Sequence, residues 1–141
     1  MAIHSGLLRL STAGHGEVID VTDGVRSVLR TSGVELGVVT VFVPGATVAI
    51  TTMEYEPGAV ADLRTLLERL VPAAPRGEDY EHNRLNADSN AYAHLRAALI
   101  GPSESIPVIA GALALGTWQQ IVLLDFDDRA RERVVSVQIA S

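Results

Sequence analysis

The chain has no cysteine, no lysine, one tryptophan and only 4% aromatic residues over 141 positions. Without cysteine there is no disulfide framework, no thiolate zinc site and no thiol nucleophile. Without lysine there is no Schiff-base chemistry and no anchor for pyridoxal phosphate, because both need an amine that can lose its proton and guanidinium does not. All eleven basic residues are arginine, and the net charge of -6 argues against a nucleic-acid binder, which needs a basic face to displace counterions. No apolar run approaches the ~20 residues needed to cross a bilayer, so no membrane segment is expected. Met1 to Leu10 lacks a basic region ahead of an apolar stretch, which leaves the cytoplasm as the expected compartment. The glycines are scattered and form neither a phosphate-cradling loop nor a dinucleotide fingerprint, so nucleotide hydrolysis and nicotinamide or flavin redox chemistry are not expected. No serine stands in a Gly-x-Ser-x-Gly setting.

What is present fits one domain over 1–141, with a length that buries roughly two thirds of the unfolded surface. Ser5–Ser11 and Glu17–Val21 read as strands around a Gly14-His15-Gly16 turn. Thr22 and Asp23 can cap a helix with apolar positions Val25, Val28 and Leu29, ended by Ser32-Gly33. Gly37–Val43 reads as a buried strand and Thr47–Thr52 as another extended run, with Pro44-Gly45 between them. From Pro57-Gly58 to Pro72 the period becomes helical, with Val60, Leu63, Leu66, Leu67 and Leu70 on one face. A further helix is predicted from Ser89 or Asn90 to Leu99, stopped by Gly101-Pro102. Ser105–Ile109, Thr117–Phe126 and Arg133–Ile139 complete the strand set. Strands and helices alternate without strict βαβ order, which predicts an α+β fold: two main helices packed on a mostly antiparallel sheet or β-sandwich.

Side chains able to carry chemistry collect in the second half. His82 lies in a polar stretch expected to be a loop. Asn90 and His94, four apart, share one face of the following helix, so a loop imidazole and a helix imidazole can converge. With Asp88 between them and Glu54 at the end of an extended run, they would suit a zinc-like divalent site with a position left for water. The catalytic candidates are His82, His94 and Glu54, and the metal-ligand candidates are His82, His94 and Asp88. Trp118 can wall a pocket for a flat heterocycle, with Gln119 on the opposite face if the strand is regular. Together with Asn90 and Arg96, a possible phosphate contact, these form the substrate-binding set. Each has an ordinary reading too: solvated histidines, a core tryptophan, arginines in surface ion pairs.

The segments Tyr80-Glu81-His82, Asp88 to Leu95, Ser105-Ile106-Pro107-Val108 and Leu115-Gly116-Thr117-Trp118-Gln119-Gln120-Ile121, with Glu54-Tyr55-Glu56-Pro57-Gly58 upstream, resemble the YjbQ family. Its members are often described as secondary thiamine-phosphate synthase enzymes. The resemblance covers essentially the whole chain. It implies a compact α+β domain, a homotrimer, and a polar pocket lined by His82 and His94 with Glu54, Trp118 and Gln119, sometimes holding a metal ion and acting on small phosphorylated heterocyclic compounds. The chain departs from the family pattern at Gly45-Ala46-Thr47, where the pattern is His-Thr-Thr, and at Met53, where it is Asn. One candidate imidazole ligand is thereby missing, leaving His15 or Asp88 to replace it or the site one ligand short. A non-catalytic homotrimeric binding or scaffold protein, its histidines at the subunit interface, is the alternative reading.

Overall fold

The computed structural model covers residues 1–141. In chain order its elements are β1 (Ile3–Thr12), β2 (Glu17–Asp20), α1 (Thr22–Ser32), β3 (Leu36–Phe42), β4 (Val48–Met53), α2 (Pro57–Leu70), α3 (Glu81–Asn86), α4 (Ala91–Ile100), β5 (Ser103–Ile109), β6 (Ala112–Leu113), β7 (Gln120–Asp125) and β8 (Arg131–Ala140). The strands form a five-stranded sheet in the order β1-β8-β3-β5-β6 and a three-stranded sheet in the order β2-β7-β4. All pairings are antiparallel. The expected α+β architecture is what forms, and to the three expected helices it adds a short fourth, α3.

Why two sheets stack here is visible in β7. Ile121 and Leu123 point into the main core with Val39, Val41, Val135 and Val137 of the larger sheet. Val122 and Leu124, on the opposite face, pack with Leu67 of α2 and Ala93 and Ala97 of α4. A strand covered on both sides has no reason to alternate with polar residues, so Ile121–Leu124 is a continuous apolar run. The outcome is three layers: the large sheet, the small sheet, and α2 with α4. In β3, by contrast, Val39 and Val41 are buried while Leu36, Val38 and Phe42 face outward.

Several local expectations shift. The 81–86 stretch, read as a loop, is the short helix α3, whose only buried residue is the polar Asn83. Thr117 and Trp118 precede β7 instead of entering it, so Trp118 and Gln119 do not alternate across a strand. Trp118 is 74% exposed and is not core. In α2, Leu67 is the buried position, while Leu66 and Leu70, expected on the inner face, remain exposed. Glu56 caps α2 by accepting hydrogen bonds from the Gly58 and Ala59 amides, with Pro57 at the first helical position. That cap holds the Glu56 carboxyl below its ordinary range.

Two carboxylates are fully buried where β7 runs out toward β8. Asp125 accepts from Arg133 Nε at 2.7 Å and Arg133 Nη2 at 3.0 Å, and from Thr12 Oγ1 at 2.6 Å. Asp127 accepts from Arg131 Nε at 2.6 Å, from Thr47 Oγ1 at 3.2 Å and from the Asp128 amide at 2.8 Å. Burial pushes both carboxyls up, but the arginine and amide donors outweigh it, so both lie below the ordinary value of 3.8, Asp127 at about 2. A carboxyl depressed by folding adds stability above its unfolded value and loses it as pH falls through its native one. Urea denaturation across pH should therefore show stability level above about pH 5, falling between about pH 4 and pH 2. Asp125→Ala, which strands Arg133 and Thr12, should cost about 3–5 kcal/mol in the same measurement.

Candidate functional site

The two imidazoles meet. His82 on α3 and His94 on α4 place their ring centroids 4.7 Å apart with planes inclined by 51°. The junction between the helices is built by Asn83. Its side-chain oxygen accepts from the Ala91 amide at 3.0 Å at the start of α4, and its side-chain nitrogen donates to Asp79 Oδ1 at 3.0 Å. Ala87, in the left-handed conformation at φ 51°, turns the chain between the helices.

Each ring is held through Nδ1. His82 Nδ1 lies 3.3 Å from Asn83 Oδ1, and His94 Nδ1 lies 3.0 Å from the carbonyl oxygen of Ala46. Both partners are acceptors, so in the neutral rings the proton sits on Nδ1 and the Nε2 lone pair is free. Neither Nε2 has a partner in the chain, and neither is sealed from solvent; the one enclosed side-chain atom without a partner is Asn90 Oδ1. Asn90 precedes α4 but its side chain does not cap it, leaving an acceptor that calls for a donor or a cation. Beside His94 lies a largely apolar depression of about 300 Å³, floored by Gly45, Ala46 and Val48 and walled by Ala97, Ala98 and Pro102.

The remaining candidates are placed as follows. Glu54 is exposed just beyond β4, and Asp88 is exposed with Oδ1 accepting from the Ser89 amide at 2.7 Å. Neither joins the imidazoles, and no three histidine, aspartate or glutamate side chains converge as a metal-binding group. Arg96 lies two residues beyond His94, about 200° around the helix. Its guanidinium is taken up by Val71 O at 2.7 and 3.0 Å and Glu68 Oε2 at 2.6 Å. Gln119 pins its own turn, accepting from the Gly116 amide at 3.0 Å and donating to Thr52 Oγ1 at 3.0 Å. Arg84 makes exposed ion pairs with Glu78 and Glu81, worth little. His15 lies in a different cleft.

Gly45, where the family resemblance leads one to expect histidine, has φ 140°. A Cβ added there would stand 2.8 Å from Val48 Cγ1 and 2.9 Å from Arg133 Nη1. The Val48 and Arg133 side chains fill the space and the positive φ disfavours a side chain there, so this chain has no third imidazole at the position. Asn83 and the Ala46 carbonyl were missed by sequence reasoning. Asn83 could have been found as the polar neighbour of His82, whereas a main-chain oxygen 48 positions from its histidine leaves no mark on composition or spacing.

Fold and geometry together define an α+β two-sheet protein with a paired-histidine site between two short helices. The family described as UPF0047 protein YjbQ-like matches residues 7–141, and the chain belongs to it. It is 44% identical to a UPF0047 protein of Archaeoglobus fulgidus over 128 residues, covering 91% of this chain and 95% of that one. A UPF0047 protein of Methanothermobacter thermautotrophicus is 39% identical, with 99% and 94% covered. Among solved structures, a YbjQ-like protein of unknown function from Sulfolobus solfataricus superimposes with a TM-score of 0.86 at 31% identity, covering 98% of each chain. A hypothetical protein from Aeropyrum pernix does so with a TM-score of 0.87 at 36% identity, covering 97% and 98%.

Because Asn90 Oδ1 is buried and unpaired, removing it relieves an unmet acceptor. Asn90→Ala should leave the urea midpoint unchanged or raised, by no more than about 1 kcal/mol in stability. A marked loss would show that the side chain holds the fold together.

Proposed function

We propose that His82 and His94 form the working centre of an enzyme-like site that binds a small heterocyclic, phosphate-bearing compound and moves a proton on it through Nε2. The observation that carries this reading is the paired fixation of both rings through Nδ1, with both Nε2 atoms unclaimed. An imidazole whose Nδ1–H is already committed to an oxygen takes a proton at Nε2 without reorienting, because the same oxygen stabilises the imidazolium. The depression beside His94 would take a flat apolar ring. The family resemblance supplies the expected chemistry, a thiamine-phosphate-synthase-like transfer.

Two imidazoles in one chain fall one short of the three protein ligands of a catalytic zinc site. Proton transfer is therefore assigned to the rings themselves, and a divalent ion enters this reading only with a ligand from a neighbouring copy. Purified protein analysed for metals, with His82→Ala and His94→Ala variants assayed for the joining of a pyrimidine diphosphate to a thiazole phosphate with release of diphosphate, tests both points. Loss of activity by about 10²–10⁴-fold in each variant with no stoichiometric metal is expected. Unchanged turnover in both would end the proposal.

A second reading, a non-catalytic homotrimer, is favoured by the outer face of the large sheet. Ile3, Leu7, Leu36, Val38, Phe42 and Ile109 are 42–74% exposed and lie in neighbouring rows of one face by strand register. An apolar face of this extent fits contact with further copies of the chain. In sedimentation, Phe42→Glu should shift a trimer to monomer with the His82–His94 site intact; dissociation caused by His94→Ala would favour interface histidines.

A further inference from the structure

On the other side of α4 from His94 lies a cleft of about 460 Å³, walled by α2, the Gly14–Gly16 turn and Arg96. We infer that it is a second binding site, independent of the histidine pair, for a phosphate group. Arg64 donates Nε to the Gly16 carbonyl at 3.0 Å. This fixes its guanidinium at the cleft and leaves both terminal nitrogens without a protein partner. Arg69, also on α2, has no ion-pair or hydrogen-bond partner at all. The one carboxylate in the lining, Glu68, is taken by Arg96 at 2.6 Å. The cleft is therefore lined by two arginines whose terminal nitrogens have no protein partner, in a chain whose net charge is -6.

The third wall is His15, and its backbone is costly. Gly14, His15 and Gly16 all have positive φ, at 72°, 55° and 79°. For a residue with a side chain this conformation is disfavoured, and such outliers concentrate at ligand sites. The turn is forced into it by main-chain bonds, the His15 amide donating to Asp127 O at 2.7 Å and the Gly16 amide to Asp125 O at 2.8 Å. A Cβ on Gly14 would collide with the Asp127 and Arg129 carbonyl oxygens. The turn thus carries the imidazole to the cleft. Two guanidiniums from α2 and an imidazole from the facing turn line one cleft, and together they suit the three free oxygens of a phosphate ester better than the two coplanar oxygens of a carboxylate.

Calorimetric titration of the full chain at low ionic strength, with inorganic phosphate and with glycerol 3-phosphate, tests this. Wild type is expected to bind at least one of them, and Arg69→Gln and Arg64→Gln to weaken it at least about tenfold each. Arg84→Gln, an exposed arginine on α3, should bind as wild type. Tighter binding of the ester would mean that the ligand carries an organic part, and tighter binding of inorganic phosphate that the free anion is held. Because Arg69 makes no contact that folding needs, its variant keeps the test valid even if Arg64→Gln disturbs the turn. No binding of either probe, binding unaffected by Arg69→Gln, or equal weakening by Arg84→Gln would overturn the proposal.

Discussion

Two buried carboxylates at the end of β7 hold the molecule in register. Asp125 and Asp127 are both 0% exposed, and through Arg131, Arg133, Thr12 and Thr47 they tie β8, β1 and the segment leading into β4 to one strand. Their main-chain oxygens hold the His15–Gly16 turn as well. Charges taken this far from water are tolerable only when every lone pair is met. The network therefore admits one arrangement of those four segments, and both candidate sites are mounted on it: the Ala46 carbonyl that holds His94 adjoins Thr47, and the phosphate cleft is closed by the turn.

Much of this architecture was legible in the residues. Gly33 and Gly101 mark the ends of α1 and α4 because they stop the helix at positive φ, and Pro57 marks the start of α2 because its fixed φ is already helical and its missing N–H is not needed there. The valine and isoleucine runs mark the strands. Helix α3 was not legible, since Glu81–Asn86 contains one apolar residue and six positions cannot display a helical period. Its helical state comes from Asn83, whose partners Asp79 and Ala91 lie on either side of it. Trp118 was misplaced for a related reason: its segment has strand-like composition, but Gln119 diverts its own side chain into pinning a turn.

The meeting of His82 and His94 could be anticipated from one helix face and one adjacent polar stretch. What fixes the rings could not. One oxygen belongs to a neighbouring amide and the other to a main chain brought close only by tertiary folding. Sequence reasoning thus found the two rings and missed the groups that hold them. Arg96 shows the converse, since its proximity in sequence to His94 suggested a shared role, while a two-residue step around a helix sends the two side chains to opposite sides.

The unequal embedding of β7 and α3 has a dynamic consequence. β7 is enclosed on both faces by the two apolar clusters, whereas α3 contributes a single amide side chain to the interior. Amide protons of β7 will exchange with solvent only on global unfolding, while those of α3 will exchange through local opening. The wall that α3 forms beside His94 can then loosen by fraying of one helical turn and a half, with the layered body of the protein undisturbed.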